Sequence, residues 1–165
     1  MSDPGVIAAG RHRMAIRVYY EDTDTAGIVY HAAYLAFAER ARTEMLRCLG
    51  LDHRTLRARF GVVFTVRRCL VDDRAPARLD DLLEVRTTVA RVGGASLDLE
   101  QRILCAGRLL TRLEVRLALL GADLRVARMP RQLTSALGRL RDTGEELSEA
   151  PRPAPDRRGF ALDKQ

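Results

Sequence analysis

A chain of 165 residues with 47% hydrophobic and 30% charged side chains has the size and balance of one soluble globular domain. It has no uncharged apolar stretch of about 18 residues, so no membrane span is expected, and residues 1–13 hold no apolar run suited to a signal peptide, which leads to the expectation of a cytoplasmic protein. Cys48, Cys69 and Cys105 are odd in number and widely spaced, which excludes a disulfide framework and a zinc knuckle.

The formal net charge is +6, from 28 Lys+Arg against 22 Asp+Glu. That favours anionic partners without choosing among them. With 5% aromatics and no Trp there is no base-stacking surface, so nucleic acid is not an expected partner.

Residues 1–13 read as a flexible N-terminal arm. Met14, Ile16, Val18 and Tyr20 then alternate with Ala15, Arg17 and Tyr19, the period of a half-buried strand. The next stretch, Glu21 to His31, concentrates three carboxylates, one glycine and one histidine in a single connection. From Ala32 to Leu49 the period becomes helical, with Tyr34, Phe37, Ala38, Ala41, Met45, Cys48 and Leu49 on one stripe. Arg40 and Glu44 stand four apart on the other side, spaced for an ion pair. Gly50 suits the helix C-terminus, and Asp52 suits the cap of a short helix near residues 53–59.

After Gly61 the pattern is of strands: 62–71, 83–92, 95–105 and 109–119. Leu83, Val85, Thr87 and Val89 share one face. Leu97, Leu99 and Ile103 point inward, while Asp98, Glu100 and Arg102 point outward. Gly93-Gly94 and Gly107 mark turns. Residues 131–140 suit a further helix. Residues 141–165, with Pro151, Pro153 and Pro155 among charges, read as a disordered tail, leaving 14–140 as the domain. One long helix followed by hairpin-linked strands is an α+β layout, an antiparallel sheet wrapped around the helix. Such a unit leaves a sheet edge uncovered, so a homo-oligomer is expected.

Asp24 is the first candidate for chemistry. A carboxylate near a helix N-terminus sits beside unpaired backbone N–H groups that can polarise a carbonyl. Asp24 would attack that carbonyl or activate a water; the alternative is that it merely caps a turn. His31, at the helix start, either polarises the same carbonyl or packs there. His12 and His53 read as solvent-facing. Glu39, two turns further along, either faces the same cleft or is a solvated helix residue. Asp22 and Asp24 lack companion ligands, so no metal is expected. Arg125, Arg128 and Arg131 form a basic cluster around Met129-Pro130 that either meets phosphates or is simply solvated. No phosphate-binding glycine loop, nucleophile elbow or Cys/His pattern is present.

The run Tyr19-Tyr20-Glu21-Asp22-Thr23-Asp24-Thr25-Ala26-Gly27-Ile28-Val29-Tyr30-His31, followed by Tyr34 and by Phe37 to Glu44, resembles the hotdog-fold acyl-CoA thioesterases. Within them it is similar to the Tol-Pal-associated group, which is related to hydroxybenzoyl-CoA thioesterase. The blocks Pro76-Ala77-Arg78-Leu79-Asp80-Asp81 and Arg128-Met129-Pro130 carry the same likeness, over about residues 14–135. The run Val71-Asp72-Asp73-Arg74 is more charged than the group's pattern. The resemblance implies a hotdog fold, a dimer or dimer of dimers, and hydrolysis of acyl-CoA or acyl carrier protein thioesters. It implies Asp24 and His31 as catalytic residues and Gly27, Val29, Tyr30, Glu39 and Arg128 as substrate-binding. No separate cofactor is implied, since coenzyme A belongs to the substrate. The competing readings are a hydratase or dehydratase of the same fold and a non-catalytic adaptor touching carrier protein or envelope machinery.

Overall fold

The computed structural model describes residues 4–141. Six antiparallel strands form one sheet in the order β1-β2-β4-β5-β6-β3: β1 (Val6–Ala8), β2 (Arg11–Arg17), β3 (Val62–Asp73), β4 (Leu82–Val92), β5 (Ser96–Cys105) and β6 (Arg108–Gly121). The long helix α1 (His31–Cys48) lies against one face of this sheet. The shorter helices α2 (His53–Phe60) and α3 (Arg131–Gly138) complete the layout. This is the α+β arrangement expected from the periodicities. Among the described residues no helix is long and apolar enough to cross a membrane.

The stripe on α1 explains its seat. Tyr34, Phe37, Ala38, Ala41 and Met45 are buried, and they meet the inward positions Leu83, Val85, Val89, Leu97, Leu99 and Ile103. The small Ala38 and Ala41 let the helix backbone approach the sheet closely. Arg42 and Leu46 are also buried, whereas Cys48 is exposed, so the buried stripe drifts from the one the sequence suggested. The surface pairs differ too. The helix forms Glu39–Arg42 and Glu44–Arg47 ion pairs, three apart, instead of Arg40–Glu44. At its end Gly50 takes φ +70°, and the carboxylate of Asp52 accepts the Thr55 N–H at 2.9 Å to cap α2.

The outer side of the sheet is charged. Asp98 and Arg116 stand directly opposite in the β5–β6 register and make two hydrogen bonds, at 2.7 and 2.9 Å. Glu100 faces Glu114, an unfavourable pairing. Arg112 lies within 2.6 Å of one and 3.4 Å of the other and offsets it. Burial opposes ionisation of Glu100, but hydrogen bonds from Arg102 and Arg112 outweigh it and hold the carboxyl below its usual range.

The expected flexible arm is, from Val6 on, part of the sheet. Val6, Ile7 and Ala8 pair with Arg13, His12 and Arg11. Ala9 and Gly10 both have positive φ, +48° and +71°, the two-residue turn whose twist matches antiparallel strands. Gly5 makes this packing possible: a Cβ there would run into the Arg13 carbonyl, and its φ is +77°. The tail expected over 141–165 lies, beyond Arg141, outside the described residues.

His12, expected in solvent, is fully buried between this hairpin and α1. Its Nε2 donates to the Pro4 carbonyl at 2.9 Å, which leaves Nδ1 as a bare acceptor with no partner among the described residues. Burial lowers its pKa below 6.5, against the opposing pull of the Pro4 carbonyl and the Glu44 charge. The native state therefore keeps His12 neutral where the unfolded chain takes up a proton. Its contribution is constant above about pH 6.5 and turns unfavourable as pH falls below that value. Unfolding free energy measured from pH 7 to 5 should fall less in His12→Asn than in the parent chain. An identical slope in the two would show that His12 does not titrate in this way.

Candidate active site

The Asp24 connection is tied down along its length. Strand β2 stops at Arg17, so Tyr19 and Tyr20 are not strand residues as expected but exposed side chains at the entry to a 3₁₀ turn, Tyr20–Asp22. The backbone of Val18 is held to the start of β4 by its N–H to the Asp81 carbonyl, 2.9 Å. Asp22 Oδ2 accepts the Tyr19 N–H at 2.9 Å and its carbonyl accepts the Tyr30 N–H at 2.8 Å. The Val29 N–H reaches the Ala77 carbonyl at 2.9 Å, and Ile28 bridges to Arg78. Asp22 thus supports the loop from within, and the Pro76–Asp81 block forms its other wall.

Within this frame residues 24–28 fold back on themselves. Asp24 N–H donates to the Ile28 carbonyl at 2.9 Å and Gly27 N–H to the Asp24 carbonyl at 3.0 Å. Gly27 takes φ +70°, where a side chain would be strained. Asp24 Oδ1 accepts the Ala26 N–H at 2.8 Å, and among the described residues nothing else bonds this carboxylate, which is exposed in the single protomer. Asp24 therefore does close a turn, with half of its carboxylate, and keeps the other oxygen available.

The loop delivers the chain to the start of α1 at His31. Tyr30 is the capping position, and no side chain caps the helix there. The first-turn N–H groups of His31 and Ala32 have no carbonyl one turn back within the helix, and they carry the positive end of its dipole. Val29, just before, is buried at the base of this end. The rings of Tyr30 and His31 lie 4.3 Å apart, tilted by 54°, and both residues are exposed. Asp24, Gly27, Val29, Tyr30 and His31 are thus gathered around one uncapped helix N-terminus. That is an arrangement for placing a carbonyl between amide donors and a carboxylate.

Glu39 and Arg128 are not at this place. Glu39 is an exposed residue two turns along α1, ion-paired with Arg42. Arg128 is fixed by its neighbour Met129, whose N–H donates to the Gly94 carbonyl at 2.6 Å. Gly94 follows the end of β4, while the Asp24 loop is anchored at Asp81, before its beginning. Eleven residues of strand separate them, about 35 Å. Within one protomer, then, Arg128 and Asp24 stand at opposite ends of the sheet. Among the described residues no cluster of His, Cys, Asp or Glu is arranged to hold a metal ion.

Two supports were not legible beforehand. The Tyr34 hydroxyl, buried under the loop, accepts the Ala77 N–H at 2.9 Å and so ties α1 to the Pro76–Asp81 wall. Burial pushes its phenol pKa up, so it stays neutral. Deeper in, the buried Gln101 of β5 accepts from Arg42 Nη1 at 2.6 Å and donates to the Ala38 carbonyl and the Thr87 hydroxyl, both at 3.0 Å. This network fixes the axial position of α1 on the sheet. A polar residue on the inward face of β5 was the one cue in the sequence.

Comparison with known proteins points the same way as this geometry. The Thioesterase-like superfamily matches residues 18–137. The chain is 53% identical over 94 residues to the acyl-CoA thioester hydrolase YbgC of Shigella flexneri, covering 57% of this chain and 69% of that protein. It is 47% identical over 103 residues to the acyl-CoA thioesterase YbgC of Haemophilus influenzae, covering 62% and 76%. Among solved structures, a probable thioesterase from Bartonella henselae superposes with a TM-score of 0.70 at 36% identity, over 73% of this chain and 99% of that one.

Proposed function

The chain belongs to the Thioesterase-like superfamily, and on that footing we propose that it is an acyl-CoA thioester hydrolase whose chemistry is carried by Asp24. The likeness to named acyl-CoA thioester hydrolases supports the reaction class. The observation that supports the assignment of residues is the Asp24 loop clamped beside the uncapped N-terminus of α1. A thioester carbonyl set between the two is polarised by the His31 and Ala32 amides, with the His31 ring at its flank. Asp24 either adds to the carbonyl carbon or removes a proton from a water that adds. The C–S bond then breaks, the sulfur leaves as thiolate and takes up a proton, and water supplies the second oxygen of the free acid. No resident cofactor enters this sequence.

We further propose that the working form is a homo-oligomer. Strand β3 is an edge of twelve residues, and Val66, Leu70 and Val71 on it are 42–46% exposed. A long edge with apolar side chains invites a second strand, and pairing with a second copy would let an Arg128 approach an Asp24 loop that it does not reach within its own protomer. A mass of one chain by light scattering at micromolar concentration would remove this part of the proposal.

The experiment for the reaction is thiol release from a panel of acyl-CoA thioesters, short aliphatic to aromatic, with acyl carrier protein thioesters alongside. Turnover of at least one class is expected. Absence of thiol release across the panel, with enoyl-CoA hydrated instead, would replace hydrolysis with hydration.

A further inference from the structure

A second concave site lies away from the Asp24 loop. An open cavity of about 530 Å³ is lined by His53, Arg54, Arg57 and Ala58 of α2 and by Val63 of β3. Its volume falls within the range of about 300–1,000 Å³ usual for small-molecule sites. The lining follows from helical spacing. Positions 53 and 57, 54 and 57, and 54 and 58 are three or four apart and share a face, while Leu56 turns inward and is fully buried.

The site is cationic, and its charges are not already spent. Among the described residues no carboxylate is ion-paired with Arg54 or Arg57. The nearest acid, Asp52, is engaged with Thr55, accepting both its N–H at 2.9 Å and its hydroxyl at 3.2 Å, and Arg47 lies near it. The first-turn amides are taken by that cap, so the attraction comes from side chains. His53 Nε2 lies 3.4 Å from the Thr43 hydroxyl. Two guanidinium groups on one helix face bind the oxygens of a phosphate group well, and better than two ammonium groups would. The apolar Ala58 and Val63 beside them suit the organic body to which a phosphate is attached.

Location separates this cavity from the reaction. Helix α2 follows the C-terminus of α1, and the eighteen residues of α1 put about 27 Å between that end and the helix start beside Asp24. Val63 pairs with Leu120, and Leu120 bridges to Val126, which puts the cavity at the end of the sheet that carries Arg125 and Arg128.

We propose that this cavity is a binding site for a phosphorylated small molecule of nucleotide size, distinct from the thioester site, with Arg54 and Arg57 holding the phosphate and Ala58 and Val63 contacting its organic body. The proposal does not depend on the reaction assigned to Asp24.

The test is calorimetric titration of the full chain with ADP, with inorganic phosphate and with free coenzyme A, in the parent protein and in the double variant Arg54→Gln/Arg57→Gln. A second variant, Ala58→Glu, adds a negative charge to the same exposed face without removing either arginine. The expected result is ADP binding that weakens at least about tenfold in each variant, because two charge-assisted contacts are lost or opposed. Binding should also weaken with rising salt, and hydrolysis of a short acyl-pantetheine thioester should be unchanged. Unaltered ADP affinity in both variants, or no ADP binding to the parent chain, overturns the site. Equal affinity for inorganic phosphate and ADP overturns the role of Ala58 and Val63. Competition of coenzyme A with ADP, together with a raised KM for acyl-CoA but not for acyl-pantetheine in the double variant, identifies the occupant as the nucleotide end of the substrate and overturns the separate site.

Discussion

Asp24→Asn is expected to lower kcat for acyl-CoA hydrolysis by about 10²–10⁴-fold while the protein stays folded. The substitution is chosen for what it preserves. The Asn side-chain oxygen can still accept the Ala26 N–H that Asp24 Oδ1 accepts at 2.8 Å, so the turn closes as before. The Gly27 and Ile28 backbone bonds that shape residues 24–28 do not involve the side chain at all. What disappears is the negative charge and the basicity of the second oxygen, the one with no partner among the described residues. A surface change of this kind shifts stability by no more than about 0.5 kcal/mol. A large loss of turnover with an unchanged unfolding midpoint therefore reads out chemistry, not architecture. Retention of more than half of the parent activity would show that Asp24 is only a turn residue. Because the carboxylate acts in the transition state, the drop should appear in kcat, with KM little changed.

Gln101→Leu is expected to destabilise the fold by about 3 kcal/mol, the largest stability effect of a single polar substitution in this protein. Gln101 is fully buried, and its amide serves three groups at once: Arg42, the Ala38 carbonyl and the Thr87 hydroxyl. Leucine matches its bulk but leaves one N–H of the buried Arg42 guanidinium facing apolar surface. The ion pair to Glu39 remains, since that contact reaches the exposed end of the side chain. Chemical denaturation should show the loss as a shift in midpoint at unchanged slope. For a domain of this size it corresponds to about 6–12 °C in Tm. Removing both partners, in Arg42→Met/Gln101→Leu, should recover part of the loss, because no charge is then left unpaired. A midpoint within about 0.5 kcal/mol of the parent in the single variant would show that the network is not a stability element.

The two substitutions separate what the chain announces from what folding supplies. Asp24 stands in a sequence cluster whose meaning is local. Loop, glycine, histidine and helix start follow one another within a dozen residues, so the site can be read in order. Strands β3 to β6 and helices α1 and α2 are legible for the same reason: the periods of two and 3.6, the Asp52 cap and the Gly93-Gly94 turn are short-range signals.

Gln101 and Arg42 are 59 residues apart, and Tyr34 and Ala77 are 43 apart. Nothing near either member of a pair names the other. Residues before Arg11 carried a cue in Ala9-Gly10, but three residues of strand have too little pattern to stand out from a loose arm. Whether they join the sheet depends on the fit of Gly5 against β2 and of His12 against α1. Arg128 shows the limit most clearly. Its motif reads alongside Asp24 in the sequence, yet the length of β4 keeps the two at opposite ends of the protomer. Sequence by itself determined the elements and the chemistry of one loop, because hydrogen bonding and side-chain periodicity act over a few residues. Tertiary structure alone decided which distant polar groups meet, because burial makes each of them find a partner and only the packed sheet and helix determine which partner is within reach.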